Sequence, residues 1–303
     1  MISKRVTTLI NEERCIGCGL CVRVCPKDTI SMVDGKAKVT GIESLACGHC
    51  AAVCPESAIQ VTEIDESPLS YTTFDEDRRW LKHGEFDTAQ LVRLMRSRRS
   101  CRNYREKPVE RKLLEDLVKI GITAPSGTNS QEWTFTILPA RDRVVALGKE
   151  IMLYYKELNR LAEKTWLRLL MKIIGKKELD WYYKNYYAAV KEGISEWEKS
   201  GRERLFHGAS AAILVACRPG ASCPAEDALL ATENILLAAH TMGLGTCLIG
   251  FAVSAIRQKP SIKISLGIPP EETVYSVIAL GWPDETYFRL AGRRKPIMRF
   301  VGE

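Results

Sequence analysis

The residues best suited to chemistry are cysteines, and seven of the eleven lie between positions 15 and 54. They repeat one pattern at an offset of 29 residues, and each copy ends in Cys-Pro: Cys15, Cys18, Cys21 and Cys25, then Cys47, Cys50 and Cys54. Thiolates at short, regular spacings bind soft metals and iron–sulfur clusters. The repeat therefore predicts two clusters in a small duplicated unit, with a short strand after each copy, at residues 29–33 and 58–62.

The first copy has the spacing C-x2-C-x2-C-x3-C-P and resembles the bacterial two-cluster ferredoxins, where the fourth cysteine of each run ligates the other cluster. The resemblance implies that Cys54 completes the first 4Fe-4S cluster and Cys25 the second. The second copy, however, has Ser44 where the first has Cys15. Three alternatives stay open: Ser44 supplies an alkoxide ligand, the second cluster is a three-iron 3Fe-4S species, or it takes an outside ligand.

A disulfide framework or a zinc site could also use closely spaced cysteines. Disulfides require an oxidising compartment, whereas the start of the sequence, Met-Ile-Ser-Lys-Arg-Val, has no apolar signal segment behind it and predicts a cytoplasmic protein. A zinc site uses two C-x2-C pairs to close one tetrahedron, which a twofold repeat with proline after each fourth cysteine fits poorly. The pattern therefore favours iron–sulfur clusters.

Composition describes an ordinary globular protein of two domains, with 303 residues, 46% of them apolar and 27% charged. No apolar run approaches the roughly 18 residues of a membrane span, so no membrane partner is expected. The net charge is +7, but residues 1–66 carry more acidic than basic residues. The basic charges of the remainder are scattered among glutamates, which argues against nucleic-acid binding and favours an anionic cofactor or an acidic redox module.

Three segments follow from the patterns along the chain: an iron–sulfur domain at 1–66, a polar linker at 67–87 and a second domain at 88–303. In the second domain, Thr88 is predicted to cap a helix and another helix follows Pro108. Apolar runs predict strands at 133–138, 211–217 and 273–280, and a long central helix spans 225–242. Strands interspersed with long helices indicate an α+β fold whose sheet is covered on both sides.

Residues 88–303 resemble the nitroreductase family of FMN-dependent flavoproteins. Four stretches carry the resemblance in the family's order: Arg98-Arg99-Ser100, then Pro125-Ser126-Gly127-Thr128-Asn129-Ser130-Gln131 before Trp133, then Leu244 to Gly250, and finally Arg294-Lys295-Pro296. The resemblance implies a three-layer α/β/α domain. With the ferredoxin-like part in front, the whole chain resembles the ferredoxin-nitroreductase fusions of anaerobes.

The family resemblance also implies which residues bind FMN. Guanidinium groups bind phosphate bidentately, so Arg98 and Arg294 are the phosphate candidates, assisted by Ser100, Arg99 and Arg293. The loop contributing Pro125, Ser126, Gly127, Asn129 and Gln131 is expected at the flavin ring and ribityl chain. The turn Leu248-Ile249-Gly250 is expected to direct a backbone N–H toward flavin N5. Family members bind FMN at a homodimer interface that the carboxyl-terminal arm embraces.

The predicted function is an FMN-dependent oxidoreductase with an internal electron relay. A low-potential donor, ferredoxin-like or NAD(P)H-linked, would supply electrons for a small electron-poor acceptor such as a nitroaromatic, a quinone or an activated alkene. The alternatives are a specialised flavin reductase, such as a dehalogenase or desaturase, and a redox sensor or electron-transfer adaptor. The aromatic-rich segment from Tyr154 to Trp197 is either helix-packing core or a lid over the substrate, and no catalytic side chain is assigned.

Overall fold

A computed structural model describes residues 5–64 and 67–302. The predicted domain boundary at residue 66 lies outside these described residues, as do the first four residues and residue 303. In the described part of the chain, no helix is both long and apolar enough to cross a membrane.

The amino-terminal unit consists of short elements that follow the cysteine runs. In chain order they are β1 (Thr8–Ile10), α1 (Leu20–Val24), β2 (Ile30–Val33), β3 (Lys36–Val39), α2 (His49–Ala52) and β4 (Ile59–Val61). Strand β1 pairs antiparallel with β4, and β2 pairs antiparallel with β3. The predicted strand after each cysteine run is present as β2 and β4. The core is small, with Ile30, Ala37 and Ala58 packing against Cys15 and Cys21.

The two cysteine runs also adopt the same backbone conformation. Left-handed φ angles recur at the 29-residue offset: Gly17 (73°) with Ala46 (50°), Gly19 (72°) with Gly48 (73°), and Asp28 (49°) with Ser57 (48°). Residues other than glycine adopt this region only rarely, so a shared pattern of this kind reflects a shared local fold. The sequence repeat is therefore a structural duplication.

The first residues of the linker pack against the second unit. A short 3₁₀ turn at Ser67–Leu69 leads to Thr72 and Thr73, whose backbone N–H groups both donate to the carboxylate of Asp116, at 2.9 and 2.8 Å. Asp116 is fully buried. This contact fixes the first part of the linker to helix α4 (Arg111–Gly121) of the second unit.

The second unit contains a four-stranded sheet and nine α-helices within the described residues. Its elements are α3 (Thr88–Ser97), α4 (Arg111–Gly121), β5 (Trp133–Leu138), α5 (Arg141–Ala162), α6 (Thr165–Ile173), α7 (Glu178–Asn185), α8 (Tyr187–Ser200), β6 (Ala211–Cys217), α9 (Pro224–Thr241), β7 (Gly245–Leu248), α10 (Gly250–Gln258), α11 (Pro260–Ser265) and β8 (Thr273–Gly281), with one 3₁₀ turn at Gly127–Asn129. The strand order is β5-β6-β8-β7, and all neighbours are antiparallel.

The sheet is covered on both faces, as the sequence predicted. Alternate residues of β6 point to opposite sides: Leu214 and Ala216 join a core with α5 and α10, while Ile213 and Val215 join a core with α4 and α9. Burial on both sides explains why β6 is a continuous apolar run rather than an alternating one. The α/β/α architecture is confirmed.

Two local predictions differ from the structure. Thr88 does not cap α3; the side chain of Asp87 does, accepting hydrogen bonds from the N–H groups of Ala89 and Gln90. An aspartate one residue earlier competes for the same cap position and accepts more strongly. The segment after α9 is also more than a turn, because Gly245–Leu248 forms the edge strand β7.

Candidate cluster and flavin sites

The cysteines of the amino-terminal unit line two cavities of equal size, each about 340 Å³. The first cavity is lined by Cys15, Cys18, Cys21 and Cys54. Cys54 thus joins the first run across the duplication, in the crossed arrangement that the ferredoxin resemblance implied. This cavity is called the Cys54 cavity below.

The second cavity, called the Ser44 cavity, is lined by Cys25, Cys47, Cys50 and Ser44. Ser44 is 7% exposed, and its Oγ accepts a hydrogen bond of 2.9 Å from the N–H of Ala46. The equivalent Cys15 thiol receives the corresponding backbone hydrogen bond from Gly17. Ser44 therefore occupies the fourth ligand position in place and in contacts, although it presents an oxygen instead of a sulfur.

The arrangement of the thiols fits clusters better than single ions. Among residues 5–64 and 67–302, no three His, Cys, Asp or Glu side chains converge closely enough to hold one metal ion. The thiols instead surround space between them, as a cluster requires when its irons and sulfides lie inside the ligand shell. Each cavity has four suitably placed donors, so the residues fit the groups that the repeat predicts.

Backbone hydrogen bonds to the sulfurs match across the duplication. The N–H of Thr29 donates to Cys25 Sγ at 3.3 Å, and the N–H of Ala58 donates to Cys54 Sγ at 3.2 Å. Burial opposes ionisation of Cys25, but the hydrogen bonds from Thr29 and its neighbours outweigh it and lower the pKa of this thiol. The Ala37 N–H lowers the pKa of Cys15. These donors stabilise the thiolate form that binds iron and tune the reduction potential of a bound cluster.

A matched pair of substitutions tests the local fold of the two runs. A Cβ added to Gly17 would lie 2.2 Å from the carbonyl oxygen of Gly35, which is backbone and cannot move aside. We expect Gly17→Ala to disrupt the Cys54 cavity and to lower the iron content of the purified protein by about half. Ala46→Gly at the equivalent left-handed position should retain full iron and gain up to about 1 kcal/mol of stability. Iron analysis and urea unfolding of both variants measure this difference, and equal iron in the two would contradict it.

The motif Arg98-Arg99-Ser100 follows α3 and lies beside the edge strand β7. Ser100 forms a parallel bridge with Thr246, and the N–H of Cys101 donates to the carbonyl of Thr246 at 2.9 Å. Burial, and then the nearby Arg98 guanidinium, lower the pKa of His240, which keeps that imidazole neutral. The structure thus brings the first and third motifs of the flavin site together, with positive charge at their junction.

The loop that precedes β5 is held by a residue that sequence reasoning did not assign. Thr128, Asn129 and Gln131 all have left-handed φ angles, of 52°, 54° and 52°. The buried carboxylate of Asp227, in the first turn of α9, accepts the Gly127 N–H at 2.8 Å and the Ser130 hydroxyl at 3.1 Å. Asp227 therefore positions the predicted flavin loop, and no local sequence signal distinguishes it from an ordinary first-turn acid.

Asn129 makes a contact that joins the two units. Its Nδ2 donates to the carbonyl oxygen of Ala46 at 2.9 Å, and its Oδ1 accepts a hydrogen bond from Gln131 Nε2 at 3.0 Å. Ala46 lies between Ser44 and Cys47 in the wall of the Ser44 cavity. The predicted flavin loop and the Ser44 cavity are therefore neighbours.

The turn at Leu248-Ile249-Gly250 connects β7 to α10. The N–H of Ile249 donates to the carbonyl oxygen of Val277 at 2.8 Å, so it takes part in the pairing with β8. Gly250 opens α10, and the first N–H groups of a helix have no acceptor within the helix. The Gly250 N–H is therefore one that can serve a ligand, whereas the Ile249 N–H is already used in the sheet.

The carboxyl-terminal arginines lie in an arm that begins beside the first motif. The described residues 284–302 form no helix or strand. Arg99 stacks over the Tyr287 ring at 4.8 Å and donates to the carbonyl of Arg289, which ties the start of this arm to the first motif. Arg293 and Arg294 follow a few residues later in the same arm.

The aromatic-rich helices serve as core and also as the wall of a cavity. Tyr155 and Tyr182 are buried, and Tyr182 donates to Asn159 Oδ1 at 2.7 Å. An apolar cavity of about 640 Å³ lies between α5, α8 and Phe251. Its largest lining side chains include Tyr155 and Trp197. Because Phe251 follows Gly250 directly, this cavity adjoins the flavin turn, and the segment contributes both core and cavity wall through different residues.

The fold and the sites describe a protein of two units, one with cysteine-lined cavities suited to iron–sulfur binding and one an α/β/α domain in which two predicted flavin motifs meet at Ser100 and Thr246. The nitroreductase family model matches residues 95–282, and a 4Fe-4S binding domain model matches residues 8–31. The chain therefore belongs to the nitroreductase family and carries a 4Fe-4S domain in front. The second cysteine run lies beyond the matched 4Fe-4S range; its Cys47 and Cys50 line the Ser44 cavity and its Cys54 lines the other.

Individual relatives match about seven tenths of this chain. A 4-nitrobenzoate reductase from Nocardioides is 25% identical over 69% of this chain and 87% of its own. Mouse iodotyrosine deiodinase 1 is 23% identical over 73% of this chain and 70% of its own. A solved structure of a nitroreductase with bound FMN from Desulfitobacterium hafniense is 21% identical, covers 69% of this chain and 97% of its own, and has a TM-score of 0.50. The last comparison supports the fold.

Proposed function

We propose that this protein is an FMN-dependent oxidoreductase that passes electrons from two iron–sulfur clusters through FMN to a small electron-poor acceptor, such as a nitroaromatic, a quinone or an activated alkene. The observation that carries the proposal is the hydrogen bond between Asn129 and Ala46, which puts the flavin loop against a cluster cavity. When bound, the clusters supply single-electron steps and FMN supplies two-electron chemistry. The proposed donor is a low-potential carrier, ferredoxin-like or linked to NAD(P)H, in the reducing cytoplasm.

The chain's own residues have separable roles in this proposal. Arg98 and Ser100 would bind the phosphate, the loop at 126–131 would orient the ring system, and the Gly250 N–H would donate to it. Arg294 would complete the phosphate site, within one chain or across the homodimer interface. Exposed apolar residues of the arm, Phe288 at 91% and Ile297 at 83%, support a homodimer that covers them.

Anaerobic purification followed by reduction tests the proposed function. We expect bound FMN and about eight irons per chain, and faster acceptor reduction with a low-potential one-electron donor than with NADPH. Free FMN at the same concentration is the control for uncatalysed reduction. A sample without flavin or iron, or one that NADPH reduces rapidly while one-electron donors do not, would contradict the proposal.

Reductive dehalogenation is the second candidate, and the similarity to iodotyrosine deiodinase favours it. The apolar cavity beside Phe251 suits a flat aromatic ring. A panel of nitroaromatics, quinones and halogenated phenols, compared by kcat/KM, separates these acceptor classes. A redox sensor or electron adaptor would show no turnover above free FMN with any of them, but partner binding that depends on oxidation state.

We also propose that Ser44 supplies the fourth ligand of the second cluster, because its hydroxyl faces the cavity where Cys15 stands in the other copy. Ser44→Cys should keep about eight irons and shift the reduction potential and EPR spectrum of one cluster only, whereas Ser44→Ala should lose about one iron. Cys-to-Ser exchange at Cys15 is the matched change in the other cavity and should alter the other EPR signal. Identical iron content and spectra for wild type and Ser44→Ala would exclude Ser44 as a ligand.

A further inference from the structure

We propose that the Ser44 cavity, rather than the Cys54 cavity, delivers electrons to the flavin site, and that Asn129 is the positioning residue that holds the two together. The inference rests on the proposed function. Each turnover would carry two electrons, one at a time, from the low-potential one-electron donor named above, and two protons from water would complete the two-electron reduction of the acceptor. No other oxidant or reductant is required.

The first observation is the position of Ala46. It is 2% exposed, lies one residue before the ligand Cys47, and has a left-handed φ of 50°. Its N–H donates to Ser44 Oγ at 2.9 Å and its carbonyl accepts from Asn129 Nδ2 at 2.9 Å. Both backbone polar groups of this residue are therefore used, one toward the cavity and one toward the flavin loop.

The second observation is the contrast with the other copy. Gly17 occupies the equivalent position beside the Cys54 cavity, and the space where its Cβ would lie is filled by the Gly35 carbonyl of the β2–β3 turn. At this position the loop of the Cys54 cavity packs against its own unit. The equivalent loop of the Ser44 cavity instead contacts the second unit. The two copies therefore share a backbone conformation but differ in which unit their loops contact.

The third observation is that the side chain of Asn129 and its loop are held in place by hydrogen bonds. Gln131 holds the amide oxygen of Asn129, and Asp227 anchors the loop on both sides of it through Gly127 and Ser130. A side chain fixed in this way keeps its donor aimed at Ala46 and loses little rotamer entropy in the contact. The path from Cys47 through Ala46 and Asn129 into the flavin loop therefore consists of covalent bonds and one hydrogen bond.

Hydrogen exchange in the full-length holoprotein tests the contact itself. Asn129→Asp preserves size and tolerance of left-handed φ but cannot donate to a carbonyl, and Asn129→Gly removes the side chain without backbone strain. Losing one net hydrogen bond shifts the docked population by about two- to tenfold. We therefore expect the amides of residues 44–47 to exchange about two- to tenfold faster in both variants.

Ser130→Ala is the matched control, since it removes one hydrogen bond from the same loop on the side facing Asp227. It should speed exchange at residues 126–131 and affect residues 44–47 less than Asn129→Asp does, because the Asn129 donor is kept. Exchange at 44–47 that is the same in Asn129→Asp, Asn129→Gly and wild type would overturn the contact. This readout requires no turnover, so it remains decisive even if the proposed activity fails.

Rapid reduction by dithionite, a one-electron donor, tests the electron entry. In protein with confirmed FMN and iron, flavin bleaching should slow by about two- to tenfold in Asn129→Asp relative to Ser130→Ala. Ser44→Cys should change the bleaching rate, because it alters the adjacent cluster. If Ser44→Cys leaves the rate unchanged while Cys15→Ser changes it, the Cys54 cavity is the entry side and the inference is wrong, although the proposed function stands.

Discussion

Replacing Asp227 by alanine should lower FMN affinity by at least about tenfold and destabilise the second unit. The carboxylate is 2% exposed and accepts the Gly127 N–H and the Ser130 hydroxyl. Hydrogen bonds to a charged group contribute about 1.5–3 kcal/mol each, and about 1.4 kcal/mol corresponds to tenfold in binding. Three residues of this loop other than glycine have left-handed φ angles, which are strained. Without the hydrogen bonds to Asp227, we expect the loop to relax out of this conformation.

Flavin fluorescence titration of apoprotein measures this effect, and urea unfolding measures the accompanying loss of stability. Asp227→Asn keeps one acceptor and should fall between alanine and wild type. Glu226→Ala is the matched control, because Glu226 is the neighbour in the same first turn of α9 and contributes similar charge at the helix start. If Glu226→Ala and Asp227→Ala weaken FMN equally, the effect comes from helix charge and not from loop anchoring.

Replacing Asp116 by alanine should release the linker and cost about 3 kcal/mol. The carboxylate is completely buried and accepts two backbone N–H groups, the Thr73 hydroxyl at 2.7 Å, and the Lys119 ammonium at 3.2 Å. Removing it takes one shared acceptor from all of these donors and leaves a gap where the buried carboxylate was, which costs more than loss of a surface ion pair. We expect proteolytic cleavage near residues 70–74 to be faster in the variant than in wild type.

Glu115→Ala is the control for this prediction, since Glu115 lies on the same helix but pairs with Arg111 at the surface. It should change the free energy of unfolding by no more than about 0.5 kcal/mol and leave the linker protected. Equal protection of the linker in Asp116→Ala and Glu115→Ala would show that Asp116 does not anchor it.

The same carboxylate predicts acid sensitivity. Burial opposes its ionisation, but hydrogen bonds from Thr73, Thr72 and Lys119 outweigh this and lower the pKa of Asp116. A lowered pKa means that the stabilisation is complete above the unfolded value of about 3.9 and is lost as pH falls through the folded value. Asp116→Asn should therefore lose less stability than wild type between about pH 4 and pH 2 in urea unfolding.

The grouping of the cysteines and most of the fold could be predicted from sequence because their signals are local. Thiolate spacing within a run is set by a few residues of backbone, and the 29-residue offset carries the same left-handed positions into the second run. The strands at 133–138 and 211–217 were equally visible, since burial on one or both faces dictates their apolar patterns.

Only the tertiary structure decided how these parts meet. Asp227 is 100 residues from Gly127, and Asn129 is 83 residues from Ala46. The sequence does not distinguish a buried aspartate from an exposed one. Their roles differ because packing of the chain removes water from the buried carboxylate and surrounds it with hydrogen-bond donors. The sequence by itself determined which residues can bind iron and which segments form the sheet. Packing determined which cavity faces the flavin loop, because that contact joins two units whose local patterns carry no information about each other.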